Sequence, residues 1–161
     1  MNSVEDRLNA IEFGWEHEVF KTIFNNGIII IFRNKNNKLH NERDLPAVIY
    51  ANGTQEWYKN GKRYRNNDLP CKIDANGTKY WYNELGFHRE GDLPAIIYAD
   101  GSQIWYKNNL FHRDNDLPAA ILADGSQYWH KNGKFHRDND LPARILSNGR
   151  EEYWLNGERV R

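Results

Sequence analysis

Residues 116–139 read DLPAAILADGSQYWHKNGKFHRDN, and Asp140-Leu141-Pro142 begins the same text again. All five prolines of the chain lie in this tripeptide, which starts at Asp44, Asp68, Asp92, Asp116 and Asp140, an interval of 24 residues each time. Other columns keep step: Ile49, Ile73, Ile97, Ile121, Ile145; Gly53, Gly77, Gly101, Gly125, Gly149; and Trp57, Trp81, Trp105, Trp129, ending in Tyr153. A fourth column runs Leu39, Arg63, Phe87, Phe111, Phe135. Residues 39–158 are therefore five copies of one unit, with a period in the range of repeat arrays. Residues 1–38 precede them as an N-terminal cap, and residues 159–161 follow as a tail.

Within a unit the local code is β. Ala47–Ala51 and Gln55–Tyr58 are short runs of β-branched and aromatic residues divided by Asn52-Gly53, and Asn60-Gly61 follows the second run. Such dipeptides between apolar runs are strong hairpin signals, because glycine accepts a positive φ without steric cost. Proline lacks the N–H that a ladder needs, so Asp44-Leu45-Pro46 reads as a bent connection. Three-residue loops ending in a left-handed glycine would pair residue 47 with 57. Applied to both turns, they would also pair Trp81 with Phe87 and gather the Ile, Trp and Phe columns into one buried layer. Val48, Lys72, Ile96, Ala120, Arg144 and Glu56, Tyr80, Ile104, Tyr128, Glu152 would then face out. A slip of one residue inverts that assignment.

Two stackings compete. A parallel β-helix would line up like charges of the Asp and Arg columns at about 4.8 Å. An antiparallel ribbon sets copies about 10 Å apart and lets Arg65, Arg89, Arg113 and Arg137 reach the aspartates. The expected fold is accordingly all-β: an elongated antiparallel sheet of five 24-residue β-hairpin repeats, two effective strands per copy. Ahead of it, Ser3-x-x-Asp6 resembles a capping box for one short helix. Val19–Phe24 and Ile28–Phe32 form a hairpin around Asn25-Asn26-Gly27 that covers the first open edge.

Composition narrows function mainly by exclusion. In 161 residues, 22 Lys+Arg balance 22 Asp+Glu, which removes the basic excess that nucleic acids or anionic membranes require. Mean hydropathy is −0.90 and no apolar run is longer than that of Ile28–Phe32, too short for a membrane span. The polar start Met1–Arg7 does not read as a signal peptide, and Cys71 has no second cysteine to pair with. Together these point to a cytoplasmic, intracellular protein.

The run Trp129–Ala143, with its Asn-Gly, His-Arg and Pro-Ala signatures, resembles the divergent MORN (membrane occupation and recognition nexus) repeats of bacterial and large-virus proteins. The resemblance spans residues 39–158, with a degenerate copy over Asn26–Phe32. It implies antiparallel sheets of hairpins that serve as scaffolds for binding or dimerisation, in a viral or bacterial setting.

The candidate sites follow from the columns. His40, His88, His112 and His136 share one column, interrupted by Tyr64 in the second copy; neighbours about 10 Å apart cannot share one zinc ion, so they read as hairpin histidines bonded to backbone. Five equivalent aspartates read as turn-formers held by the Arg column, since catalysis needs one tuned carboxylate. Cys71 fills the slot of Ala47, Ala95, Ala119 and Ala143, that of a packed small residue. No enzyme, metal or cofactor is expected. The binding candidates are the aromatic column Tyr58, Tyr82, Tyr106, His130 and Trp154, with Tyr80 and Tyr128 beside it. These are exposed anchors in one reading and rings covering one another as a second layer in the other. Three functions are compatible with this: a protein-binding or self-associating scaffold, an antitoxin or immunity-like partner of a toxin, and a carbohydrate-binding module.

Overall fold

The computed structural model describes residues 18–24, 27–42 and 44–161. The capping box at Ser3–Asp6 lies outside them. The described residues contain no helix; they are strands, turns and connections. The chain divides into two compact units, through Ala75 and from Asn76 onward.

In the first unit, β1 (Glu18–Phe24) pairs with β2 (Gly27–Arg33), Phe24 opposite Gly27. The ladder continues through β3 (Val48–Ile49), β4 (Gln55–Glu56) and β7 (Lys72–Ile73), always antiparallel. β5 (Tyr58–Lys59) and β6 (Lys62–Arg63) form a separate two-stranded hairpin. β2 is itself half of a worn copy. The N–H of Phe32 donates to Ala47 O and its carbonyl accepts from His40, as Trp57 bonds Cys71 and Tyr64. The turn between Phe32 and His40 is one residue longer than the one from Trp57 to Tyr64, and Asn34 Oδ1 fills it by accepting from the N–H groups of Asn36 and Lys38.

The second unit repeats this plan. Its sheet is antiparallel throughout, running Lys79–Tyr80, Ile96–Ile97, Gln103–Ile104, Ala120–Ile121, Gln127–Tyr128, Arg144–Ile145 and Glu151–Glu152. Each copy thus gives two strands to the sheet, then one further hairpin beside it: Tyr82–Phe87, Tyr106–Phe111, His130–Phe135 and Trp154–Arg159. Like-charge ladders of a parallel helix do not arise.

The first turn of each copy has the three-residue form. Tyr50 N–H donates to Thr54 O, Gly53 N–H to Tyr50 O, and Gly53 sits at φ 91°. Asn52 Oδ1 accepts the N–H of Thr54, so the side chain pins its own loop. Thr54, Thr78, Ser102 and Ser126 are buried. Their hydroxyls accept the backbone N–H of residues 75, 99, 123 and 147, tying each loop to the next copy.

The second turn corrects the sequence reading. It has two residues, with Asn60 at φ 53° and Gly61 at φ 83°, so Tyr58 opposes Arg63 and Tyr82 opposes Phe87. In four copies both central residues take a positive φ, which Asn and Gly tolerate best, whereas the Glu84-Leu85 turn places its positive φ on the following Gly86, at 125°. Consequently the Phe column joins the Tyr column and not the Trp column. The sheet register itself is the one from the three-residue loop, Val48 opposite Glu56. Its assignment of inside and outside fails, because both faces are covered. Ala47 and Trp57 are buried on one side; Val48, Glu56, Ile96, Ile104, Ala120 and Glu152 are buried on the other. The five isoleucines thought to be core are only half-buried. In the second unit, Tyr80, Phe87, Tyr106, Phe111, Leu122 and Tyr128 pack against Ile96, Ile104 and Ala120. The second hairpin thereby supplies a second layer.

Candidate functional site

The ring contacts in the second unit form one ladder. Centroids are 4.7 Å apart for Tyr82–Phe87, 5.1 Å for Phe87–Tyr106 and 4.4 Å for Tyr106–Phe111. The series continues at 4.9 Å to His130, 4.1 Å to Phe135 and 5.3 Å to Trp154. Tyr80 lies 6.4 Å from Tyr82, and Tyr128 meets Phe135 edge-on at 6.1 Å. Six of the seven candidate binding residues therefore meet in one structure, and each is half-buried. The three phenylalanines between them hide the faces that a ligand would use. Offset and tilted pairs of this kind add about 0.5–1.5 kcal/mol each beyond area burial.

Tyr58, in the first unit, is bonded differently. Its hydroxyl donates to Glu56 Oε2 at 2.7 Å, and Arg63 Nη2 lies 3.4 Å from the same carboxylate. Burial first, then the neighbouring Glu56 carboxylate, pushes the Tyr58 phenol up to about 12. Glu152 is buried in the same column and is held by Arg144 at 2.6 Å and Arg150 at 2.9 Å. Such charges persist inside a fold because each is paired.

His130 is the ladder's odd member, standing where other copies have Tyr or Trp. Burial drives its imidazole down to about 4, opposed by a hydrogen bond with the Gly133 backbone and reinforced by the charge of Arg144. Its Nδ1 and the Nε of Arg144 are both buried without a hydrogen-bond partner.

The Asp, Arg and Trp columns form a second recurring device. Arg113 lies on the Trp105 ring, 3.9 Å from its centre, and donates through Nε and Nη2 to the two Asp92 oxygens, both at 2.9 Å. Its Nη1 donates to Pro118 O, and Trp105 Nε1 donates to Asp92 O. Arg65 and Arg137 repeat the arrangement on Asp44 and Asp116, and Arg161 takes it up on Tyr153 and Asp140. The aspartates sit at φ near 55°, a conformation Asp visits more readily than most residues. Arg65 holds the Asp44 carboxyl below its ordinary 3.8. These groups are spent on the fold.

The histidine column is spent likewise. Nδ1 of His40, His88, His112 and His136 accepts the N–H of Asn60, Asn108, Asn132 and Asn156, each 20 residues on. Since that N–H can only donate, Nε2 carries the proton and gives it to Glu42, Glu90, Asp114 or Asp138. His112 and Lys107 together hold the Asp114 carboxyl below its ordinary range, and His136 and Lys131 do the same for Asp138. Among the described residues no three His, Cys, Asp or Glu side chains come together as a metal site. Cys71 is buried in the alanine slot.

One feature escaped sequence reading. The leucine of every Asp-Leu-Pro turn is exposed: Leu45 43%, Leu69 38%, Leu93 42%, Leu117 38% and Leu141 38%. Beside Leu117 an open groove of about 280 Å³ runs between successive turns, lined also by His112, Asp114, Trp129, Lys131 and His136. The equivalent groove beside Leu45 holds only about 40 Å³, with Tyr64 in the place of His136. The signal was present in the unvarying Leu column, but the Asp-Leu-Pro tripeptide reads from its Asp and Pro, as a bent connection. No family model, curated protein or solved structure matches the chain.

Proposed function

We propose that this chain is a non-catalytic, MORN-like repeat scaffold that binds another protein inside the cell. The carrying observation is the set of exposed leucines in the second unit, Leu93, Leu117 and Leu141, one per copy in the same turn, with about 10 Å between copies from two strand spacings. Scattered single leucines need no explanation, but a regular series held at equal exposure gives a partner repeated apolar contacts. The non-catalytic reading is supported by the Asp, Arg and His columns, whose polar atoms go to internal bonds in copy after copy. The half-buried rings favour a structural second layer over a carbohydrate platform. Among the described residues no helix is long and apolar enough to cross a membrane.

The test is a variant carrying Leu93→Ser, Leu117→Ser and Leu141→Ser. It is expected to melt within a few degrees of the unaltered chain, because each leucine is already partly solvated. It should lose a stoichiometric protein that the unaltered chain retains from host extract. Retention of that protein by the triple variant would contradict the reading, and retention of a glycan in place of a protein would favour the carbohydrate module.

A further inference from the structure

His130 occupies a ladder position that every other copy gives to Tyr or Trp, between Phe111 at 4.9 Å and Phe135 at 4.1 Å. Its Nδ1 has no partner and no access to water. The charged groups around this slot are few. Arg144 sends its guanidinium over Tyr128 at 5.1 Å and Phe135 at 5.3 Å, and Glu152 is already engaged by Arg144 and Arg150. On its own hairpin, Lys131 is drawn outward to Asp138. Phe111, from the preceding hairpin, brings no charge. An imidazolium here would thus sit beside a second cation with no carboxylate to spare. Phenylalanine faces attract cations, but the Phe135 face is already shared with Arg144.

We propose that His130 makes the fourth aromatic hairpin, His130–Phe135, an acid-sensitive joint: protonation unseats it from the ladder while the preceding Tyr106–Phe111 hairpin stays in place. The sign follows from the depressed imidazole. Closed, the hairpin keeps His130 neutral down to about 4; opened, the side chain takes a proton near 6.5. Protons therefore bind preferentially to the open form, and the closed form's advantage is full above 6.5 and is lost as pH falls toward 4.

The test is amide hydrogen exchange on the full chain, comparing Gly133 with Asn109. Both N–H groups bond the Phe carbonyl of the preceding hairpin, at Phe111 and Phe87, and both turns are also clamped by a histidine Nδ1. Only the Gly133 hairpin has histidine in the ladder. From pH 7 to 4.5, protection at Gly133 is expected to fall about tenfold or more relative to Asn109. The difference should vanish in His130→Tyr, which restores the aromatic of the column. Equal loss at both amides, or loss at Gly133 that persists in His130→Tyr, would overturn the proposal by assigning the effect to the histidine clamps. An NMR titration of the His130 ring in the unaltered chain gives a second readout. Its remaining neutral to near pH 4 is the expected result, and an ordinary midpoint near 6.5 would overturn the proposal without any variant.

Discussion

Trp105→Ala is expected to lower stability by about 3–5 kcal/mol, the range for deleting a buried aromatic side chain. Trp105 is 6% exposed, its indole N–H satisfies Asp92 O, and its ring is the platform for Arg113. Alanine leaves a cavity, a carbonyl without its donor and a guanidinium without its support. The neighbouring Tyr106→Ala is the informative comparison, because successive strand residues point to opposite faces. Were one face open to water, Tyr106→Ala would cost little. The ladder makes it costly, about 2–4 kcal/mol, since Tyr106 touches Phe87 and Phe111 and packs against the cluster of Ile96, Ile104 and Ala120. Urea unfolding midpoints with an unchanged slope would read both losses. A cost below about 1 kcal/mol for Tyr106→Ala would mean that the rings are a surface and not a layer.

Arg113→Ala is expected to cost about 2–3 kcal/mol, and Arg113→Lys to recover little of it. The side chain is 14% exposed and uses three nitrogens at once, two on Asp92 and one on Pro118 O, while its plane lies on Trp105. An ammonium group offers neither the planar pair of donors nor the stacking surface, so lysine fails although it keeps the charge. Part of the cost is the Asp92 carboxylate, left in a left-handed turn without its counter-ion. Thermal melting of the two variants checks this; a lysine variant as stable as the unaltered chain would contradict the stacked geometry.

Much of the architecture was legible because the repeat tests itself five times. The 24-residue period, the Asn-Gly loops and the pairing of Asp with Arg could each be read from columns. The second turn could not, because its glycine slot holds Gly61, Leu85, Asn109, Gly133 and Gly157, which blurs the two-residue signature. Copies two and three offset that variation together. A side chain on Gly86, which stands where other copies have Lys, Leu or Glu, would meet the side chain of Asn109 at 2.6 Å. Glu56 and Glu152 looked like solvent-facing residues by type, and only their arginine and tyrosine partners explain why they are inside. The candidate aromatic residues were found by their column, but their faces were not. Which rings lie between them depends on the second turn's pairing of Tyr82 with Phe87.

The central claim, that stability is carried by joints between neighbouring copies, is tested most directly by removing one copy. In a chain lacking residues 87–110, Gly86 leads into Phe111, so turn, histidine clamp and arginine lock all find equivalent partners in the copy that remains. Repeat arrays lose stability by roughly one unit and one interface when shortened. Thermal denaturation of the shortened chain is expected to show a cooperative β-protein with a lower melting temperature and an unchanged far-ultraviolet signature per residue. Complete loss of the folded transition would contradict the account and point to a closed core that cannot spare a copy.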